Sequence, residues 1–138
     1  MATVTPTPFV FKDMTLKIDA DNYEAAVSKV ELAPSTSQVT FKGATPGAVF
    51  TDVTAATWVC NVDYAQDWSD ETSLSYYLFN HQGEQVEAVF VPKVGVDQPS
   101  INVTLVIVPG SIGGTVDQFA TSSVALGVTG APVFVPSA

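Results

Sequence analysis

One stretch decides the fold: TWVCNVDYAQDWSDETSLSYYLFNHQGEQVEAVFVP, residues Thr57 to Pro92. Its hydrophobic periodicity changes from two to about three and a half and back to two, which predicts a strand, a helix and a second strand. The apolar residues of the first strand are Trp58, Cys60, Val62 and Tyr64, and those of the second are Val86, Ala88 and Phe90. Pro92 lacks an amide donor and should end the second strand.

The middle of this stretch predicts an amphipathic helix. Three apolar residues recur at the three- and four-residue steps of one helical face and should pack against the sheet; they are Leu74, Tyr77 and Leu78. Ser69 and Asp70 offer side-chain oxygens for the helix N-cap, and Gly83 can adopt the positive φ that often follows a helix end. We therefore predict one helix within a β-protein.

Composition indicates a single folded domain. The chain has 138 residues, of which 46% are hydrophobic and 14% charged, which excludes a disordered chain. An ordinary soluble protein carries about a quarter charged residues. The low charge suggests that partners cover much of the surface.

The charge is acidic and unevenly placed. The net charge is −9, and all five basic residues are lysines, so the bidentate arginine fork that recognises phosphate and guanine is absent. Tight nucleic-acid binding is therefore not expected. No lysine lies between Lys42 and Lys93, whereas half of the 14 acids do.

The sequence also indicates the cellular compartment in which the protein is made. A single cysteine cannot form an internal disulfide, and the N-terminus lacks a basic region followed by an apolar core. No apolar run approaches the roughly 20 residues that a membrane helix needs. We expect a soluble protein made in a reducing cytoplasm, without membrane contact.

The rest of the chain predicts β-structure with extended ends. A first strand at Met14 to Ile18 should form a hairpin with Tyr23 to Leu32, although a helix at Tyr23 to Lys29 is an alternative. Further strands are predicted around Val39 and Phe41, at Ile101 to Ile107 and at Phe119 to Val128, with turns at Pro34 to Ser37 and Val94 to Ser100. The irregular segments are an N-terminal arm at residues 1–12, a long loop or protruding hairpin at 43–56 and a C-terminal extension at 129–138.

No constellation typical of catalysis is present in the sequence. The chain has one histidine and one cysteine, and no general base lies near a serine in the sequence. His81 is better interpreted as a surface or packing residue and Cys60 as a small core residue. Asp67, Asp70 and Glu71 lack the alternating ligands and turn glycine of a calcium loop, so capping is favoured. We predict no catalytic, cofactor-binding or metal-binding residues.

Four stretches, in order, resemble the major tail proteins, or tail tube proteins, of long-tailed, non-contractile bacteriophages. They are VSKVELAPST at 27–36, FKGATPGAVFTDVTAATWVC at 41–60, YAQDWSDETSLSYYLFNHQGE at 64–84 and VPGSIGGTVDQFATSSVALGVTGAPV at 108–133. Together they span most of the chain. The family has no catalytic residues to transfer.

The resemblance implies a mainly β fold, a two-sheet β-sandwich or partial barrel flanked by one α-helix. It implies hexameric rings that stack into a tube through which DNA passes during ejection, without specific binding. It also implies tape measure, tail tip and tail terminator proteins as partners and the virion tail as location. An acidic wall fits such a conduit, because tightly bound phosphates would not slide.

Contacts between subunits are expected at the extended segments and at charges of opposite sign. The candidate contact residues are Phe9, Phe11, Lys17, Lys29, Val49, Phe50, Val133 and Phe134. The acids expected to face the lumen or a neighbour's lysines are Asp52, Asp63, Asp67, Glu84 and Glu87. An immunoglobulin-like decoration or adhesion domain is the alternative that the β-pattern alone permits.

Overall fold

The computed structural model describes residues 2–95 and 98–136. Within these residues the chain forms ten strands, one α-helix and a short 3-10 turn at Glu24–Ala26. The strands are β1 Thr15–Ile18, β2 Asp21–Asn22, β3 Val27–Ser35, β4 Gln38–Lys42, β5 Val49–Val53, β6 Thr57–Ala65, β7 Gln85–Val91, β8 Ser100–Val106, β9 Thr121–Val128 and β10 Val133–Val135. The helix, α1, is Leu74–Asn80.

The strands form a main sheet and a separate hairpin. Seven strands of the main sheet follow the order β2-β1-β7-β8-β9-β6-β3, and β10 pairs with β8 to make the eighth. Strands β4 and β5 pair only with each other among the described residues. The predicted fold class, a mainly β architecture with two sheets and one flanking helix, is confirmed.

One core unites the main sheet and the helix. Buried residues alternate along the strands, as in β6, where Cys60, Val62 and Tyr64 are at most 2% exposed while their neighbours are partly exposed. Residues from β1, β3, β6, β7, β8, β9 and α1 belong to a single apolar cluster. The sheet therefore encloses its own core, as in a sandwich or partial barrel.

Helix α1 covers this core through the residues that the sequence predicts. Leu74 and Leu78 are each 1% exposed, and Tyr77 packs against the core from its edge. These three placements agree with the prediction. The predicted N-cap is wrong, because the helix begins one turn later, where Ser73 Oγ accepts a hydrogen bond from the Tyr76 amide.

The two residues predicted to cap the helix act in the loop before it. Asp70 Oδ1 accepts hydrogen bonds from the amide and hydroxyl of Thr72 at 2.9 and 2.7 Å, and the Ser69 amide and hydroxyl donate to Asp67 Oδ1. These are Asx turns, which shape the approach to a helix without capping it. Gly83 does have a positive φ of 85°, but the C-cap residue is His81.

The hairpin predicted between β1 and a return strand at Tyr23 to Leu32 is wrong. Only β2, two residues long, returns beside β1; the chain then makes its 3-10 turn and crosses to the far side of the sheet. There β3 pairs with β6, from Val27 opposite Tyr64 to Ser35 opposite Thr57. The helical alternative for this segment is realised only as the 3-10 turn at Glu24–Ala26.

Other boundaries differ from the sequence predictions. The 43–56 segment contains β5 and so forms a protruding hairpin, and the 129–138 extension contains β10, which pairs with β8. Phe119 lies before β9 and is 96% exposed. The turn predicted at Val94 to Ser100 and the end of the extension include residues 96, 97, 137 and 138, which lie outside the described residues.

No helix in the described part of the chain is long and apolar enough to cross a membrane.

Candidate self-association surfaces

The β4–β5 hairpin carries an apolar face that nothing in the described chain covers. All five residues of each strand are exposed. Directly opposite residues share a face, so the pairs Val39–Asp52 and Phe41–Phe50 lie together. The two phenylalanine rings are 6.4 Å apart and border an open groove of about 460 Å³. An isolated two-stranded hairpin is marginally stable in water, and the described part of the chain supplies no cover for this face.

Residues 2–14, which include most of the arm predicted at residues 1–12, form neither strand nor helix. Phe9 is 50% and Phe11 45% exposed. The ring of Phe11 lies 6.0 Å from that of Phe90, a core residue of β7. The arm thus contacts the domain at Phe11, and Phe9 is half-exposed beside a cavity that Pro92 and Lys93 also line.

Strand β10 presents two further apolar residues. Val133 is 60% and Phe134 67% exposed, although the backbone of this segment pairs with β8. Main-chain pairing therefore fixes the strand, and its side chains are left available for contact.

Two predicted contact lysines lie close to acids of their own chain. Lys29 of β3 stands directly opposite Asp63 of β6, and Lys17 of β1 is opposite Val89, two residues from Glu87. The single contact within 4.0 Å between a basic and an acidic side chain in the described residues is instead His81 Nδ1 to Glu84 Oε2, at 2.7 Å. Contacts of these lysines across a subunit boundary stay a prediction.

The remaining candidate acids, Asp52, Asp67 and Glu84, are exposed, and each forms a hydrogen bond with a residue nearby in the sequence. Asp52 Oδ1 accepts a hydrogen bond from the Val53 amide, and Asp67 Oδ1 holds the Ser69 turn. Glu84 binds the histidine that stacks on Tyr77, with ring centroids 4.3 Å apart. Asp52 lies on the apolar face of the hairpin and the other two near α1, so the acids do not form one patch.

Sequence reasoning missed a fourth apolar surface, the loop between β8 and β9. Ile112, Val116 and Phe119 are 66%, 84% and 96% exposed, respectively. We name residues 108–120 the β8–β9 loop. Sequence patterns do not predict this surface, because a loop has no hydrophobic period from which exposure could be inferred.

The base of the β8–β9 loop is fixed by Gln66. The Gln66 side chain donates to the carbonyls of Gly113 and Thr121 at 2.8 and 2.9 Å. Its Oε1 accepts from the Gly113 amide and from Trp68 Nε1 at 3.0 and 3.1 Å. Four bonds from one amide group use its full hydrogen-bonding capacity.

Close packing fixes the start of the same loop. The Ser111 amide donates to Ser122 Oγ, and a Cβ on Gly110 would collide with the Tyr64 hydroxyl. The loop tip is therefore presented from a preorganised base.

Burial raises the pKa of three titratable groups in or beside the core. It raises the pKa of the Cys60 thiol to about 12. Burial, with the charge of Asp21 next in importance, raises the pKa of Tyr23 to about 12, and burial also raises that of Tyr77. A thiol held protonated is a poor nucleophile, which agrees with a packing role for Cys60.

In residues 2–95 and 98–136, no group of three or more histidine, cysteine or acidic side chains is arranged to hold a metal ion. The chain matches no protein-family model, and a comparison with curated proteins finds none that is similar.

Proposed function

We propose that this protein is a structural subunit that assembles with copies of itself into stacked rings, forming the tail tube of a long-tailed, non-contractile bacteriophage. The observation that carries the proposal is the isolated β4–β5 hairpin, whose strand residues are all exposed and include Phe41 and Phe50. Burying such a face is worth about 25 cal/mol per Å² of apolar surface, and a neighbouring subunit would provide the cover.

Other features of the domain support assembly. Strand β3 ends the main sheet with a nine-residue edge, and unpaired edges of this length invite pairing with another chain. The exposed apolar residues of the arm and of β10 add contact surface at two further places. Several separate apolar surfaces suit a subunit that meets neighbours in more than one direction.

The acidic charge supports a conduit for DNA. With a net charge of −9, five lysines against 14 acids and no arginine, the chain lacks the bidentate arginine fork and has few groups to bind phosphates. DNA would pass without being held. In this proposal the partners are identical subunits and the tape measure, tail tip and tail terminator proteins, and the protein is made in the bacterial host cytoplasm before joining the virion tail.

Electron microscopy of the purified protein, over a range of concentrations, tests the proposal. Rings or tubes are expected. A decoration or adhesion domain would instead stay monomeric, and immunogold labelling of virions would place it on the capsid or tail tip rather than along the shaft. Monomers at all concentrations, together with normal tails in a phage that lacks the gene, would contradict the tube proposal.

A further inference from the structure

The outer part of the β8–β9 loop is held to the rest of the chain by one residue, Gln66. Every residue in 111–120 is exposed, so no buried side chain anchors this segment. Within the described residues, the hydrogen bonds that join 112–120 to other parts of the chain all go to Gln66. Its side chain bonds both the amide and the carbonyl of Gly113, and its own amide donates to the Ala120 carbonyl at 2.9 Å. We call residues 112–120 the lid.

The lid can leave this position without uncovering the core. Its large apolar side chains, Ile112, Val116 and Phe119, are already 66%, 84% and 96% exposed, respectively. The chain on either side of the lid is fixed independently of Gln66, by the bond from the Ser111 amide to Ser122 Oγ and by strand β9. Segments with few buried contacts open locally while the rest of a domain stays folded. The lid therefore meets the conditions for opening as a unit.

The residue that holds the lid is also bonded to the start of helix α1. Gln66 Oε1 accepts a hydrogen bond from Trp68 Nε1 at 3.1 Å, and the Trp68 carbonyl accepts one from the Tyr76 hydroxyl at 2.8 Å. The rings of Trp68 and Tyr76 meet edge to face, 5.4 Å apart. Ser73 Oγ, which caps the helix at the Tyr76 amide, also donates to the Asp67 carbonyl. Loss of the bonds to Gln66 would therefore free the Trp68 indole and loosen the first turn of α1.

We propose that the lid and the first turn of α1 form one conformational switch, with Gln66 as its latch. In the closed state Gln66 binds both elements. In the open state the lid leaves β6 and the Trp68 indole loses its partner. A molecule that contacts Val116 or Phe119 in the closed position would stabilise the latch, and one that draws the lid outward would release it, so that contact at the lid changes the order of the helix start. This switch belongs to a single chain and goes beyond the proposed self-assembly.

Amide hydrogen exchange and the NMR signal of the Trp68 indole test the switch in the full chain. Gln66→Met keeps the length of the side chain but removes its hydrogen bonds. Exchange at the amides of residues 66 and 113 should accelerate at least about tenfold and by similar factors, because one opening exposes both. The Trp68 indole signal should move, while that of Trp58 in β6 should not. Gln118→Met, the same substitution at an exposed glutamine of the lid, is the matched control and should change these rates less than about twofold.

A second variant breaks the latch from the side of the lid. Gly113 has a φ of 106°, which L side chains rarely adopt, so Gly113→Ala should accelerate exchange at residue 66 and move the Trp68 signal in the same direction as Gln66→Met. Because Gly113 lies in an exposed loop, this variant keeps the test available if Gln66→Met disturbs the end of β6. The double variant should add little to either single change, since both break one contact.

Three results would overturn the inference. They are exchange rates in Gln66→Met that match those of Gln118→Met, a Trp68 signal that stays in place when either latch residue is changed, and fully additive effects in the double variant. Tube formation by the wild-type protein is measured separately, so the proposed function does not depend on this outcome.

Discussion

The main sheet and the β4–β5 hairpin are built from the same kind of antiparallel ladder but differ in what covers them. In the main sheet, Leu16 opposite Phe90 is buried, at 2% and 7% exposure. In the hairpin, Phe41 opposite Phe50 is 66% and 64% exposed. An apolar cross-strand pair thus marks a face that needs cover, and the cover can come from the same chain or from another.

The largest change in stability is expected when a contact between helix α1 and the core of the main sheet is removed. Leu78→Ala deletes a side chain that is 1% exposed and should lower the free energy of unfolding by about 2–5 kcal/mol. Phe79→Ala, at the next position of α1 but 55% exposed, is the matched control and should change it by less than about 0.5 kcal/mol. Urea unfolding measures both, and similar values would contradict the helix placement.

Alkaline pH should weaken the main sheet through Cys60. Its pKa is about 12 in the folded protein and 9.0 as the ordinary value, so the folded state holds the thiol proton more tightly. The contribution of the Cys60 thiol to the unfolding free energy is complete well below pH 9 and falls as pH rises towards 12. The loss is about 1 kcal/mol between pH 9 and 10 and approaches about 1.4 kcal/mol per pH unit above that.

Cys60→Ala should remove this slope between pH 8 and 10, although it lowers stability at neutral pH. Tyr23, also raised to about 12, adds a loss of the same sign that begins near pH 10. Unfolding curves at pH 8, 9 and 10 compare the two proteins. An unchanged slope in the variant would show that Cys60 is not the responsible group.

A smaller loss of stability should distinguish the helix N-cap in the structure, Ser73, from the predicted one, Ser69. Ser73→Ala removes the oxygen that accepts from the Tyr76 amide and should cost about 1 kcal/mol. Ser69→Ala removes a hydroxyl that bonds only Asp67 and should cost less than about 0.5 kcal/mol. Equal costs in thermal unfolding would argue against a helix start at Leu74.

The smallest effect on folding is expected in the hairpin. Phe50→Ala should change the unfolding free energy of the monomer by less than about 0.5 kcal/mol, because the ring is 64% exposed. The same variant should strongly reduce self-association, measured by sedimentation velocity. A large loss of monomer stability with unchanged self-association would contradict this prediction, because it would show that Phe50 stabilises the fold of its own chain as the core residues of the main sheet do.

The sequence predicts β6 and helix α1 well because hydrophobic periodicity follows from which side chains are buried. The alternation in β6 and the helical spacing of Leu74 and Leu78 result from the same core that the structure contains. The predicted β1 hairpin failed because pairing partners are set by long-range packing. Residues 23–32 have a strand pattern, but nothing local specifies that β3 pairs with β6 rather than with β1.

The candidate surfaces were predictable only where extended apolar segments occur. This pattern predicts Phe50 and Phe134 as contact residues, whereas Phe119 falls within a predicted strand, which the structure shows to begin only at Thr121. The hydrogen bond from the Gln66 side chain to the Gly113 carbonyl joins residues 47 positions apart, and no sequence pattern predicts such a contact. The helix start was misplaced because Ser69, Asp70 and Ser73 are all good caps, and tertiary packing of the preceding loop decides among them.

Amide hydrogen exchange, compared between dilute and assembled protein, tests whether a second copy covers the β4–β5 hairpin. We expect the amides of β4 and β5 to exchange rapidly in the dilute monomer and to become protected on assembly, while those of β6 and β8 are protected in both states. Protection of the hairpin that is the same at all concentrations would contradict the claim that a second copy covers it.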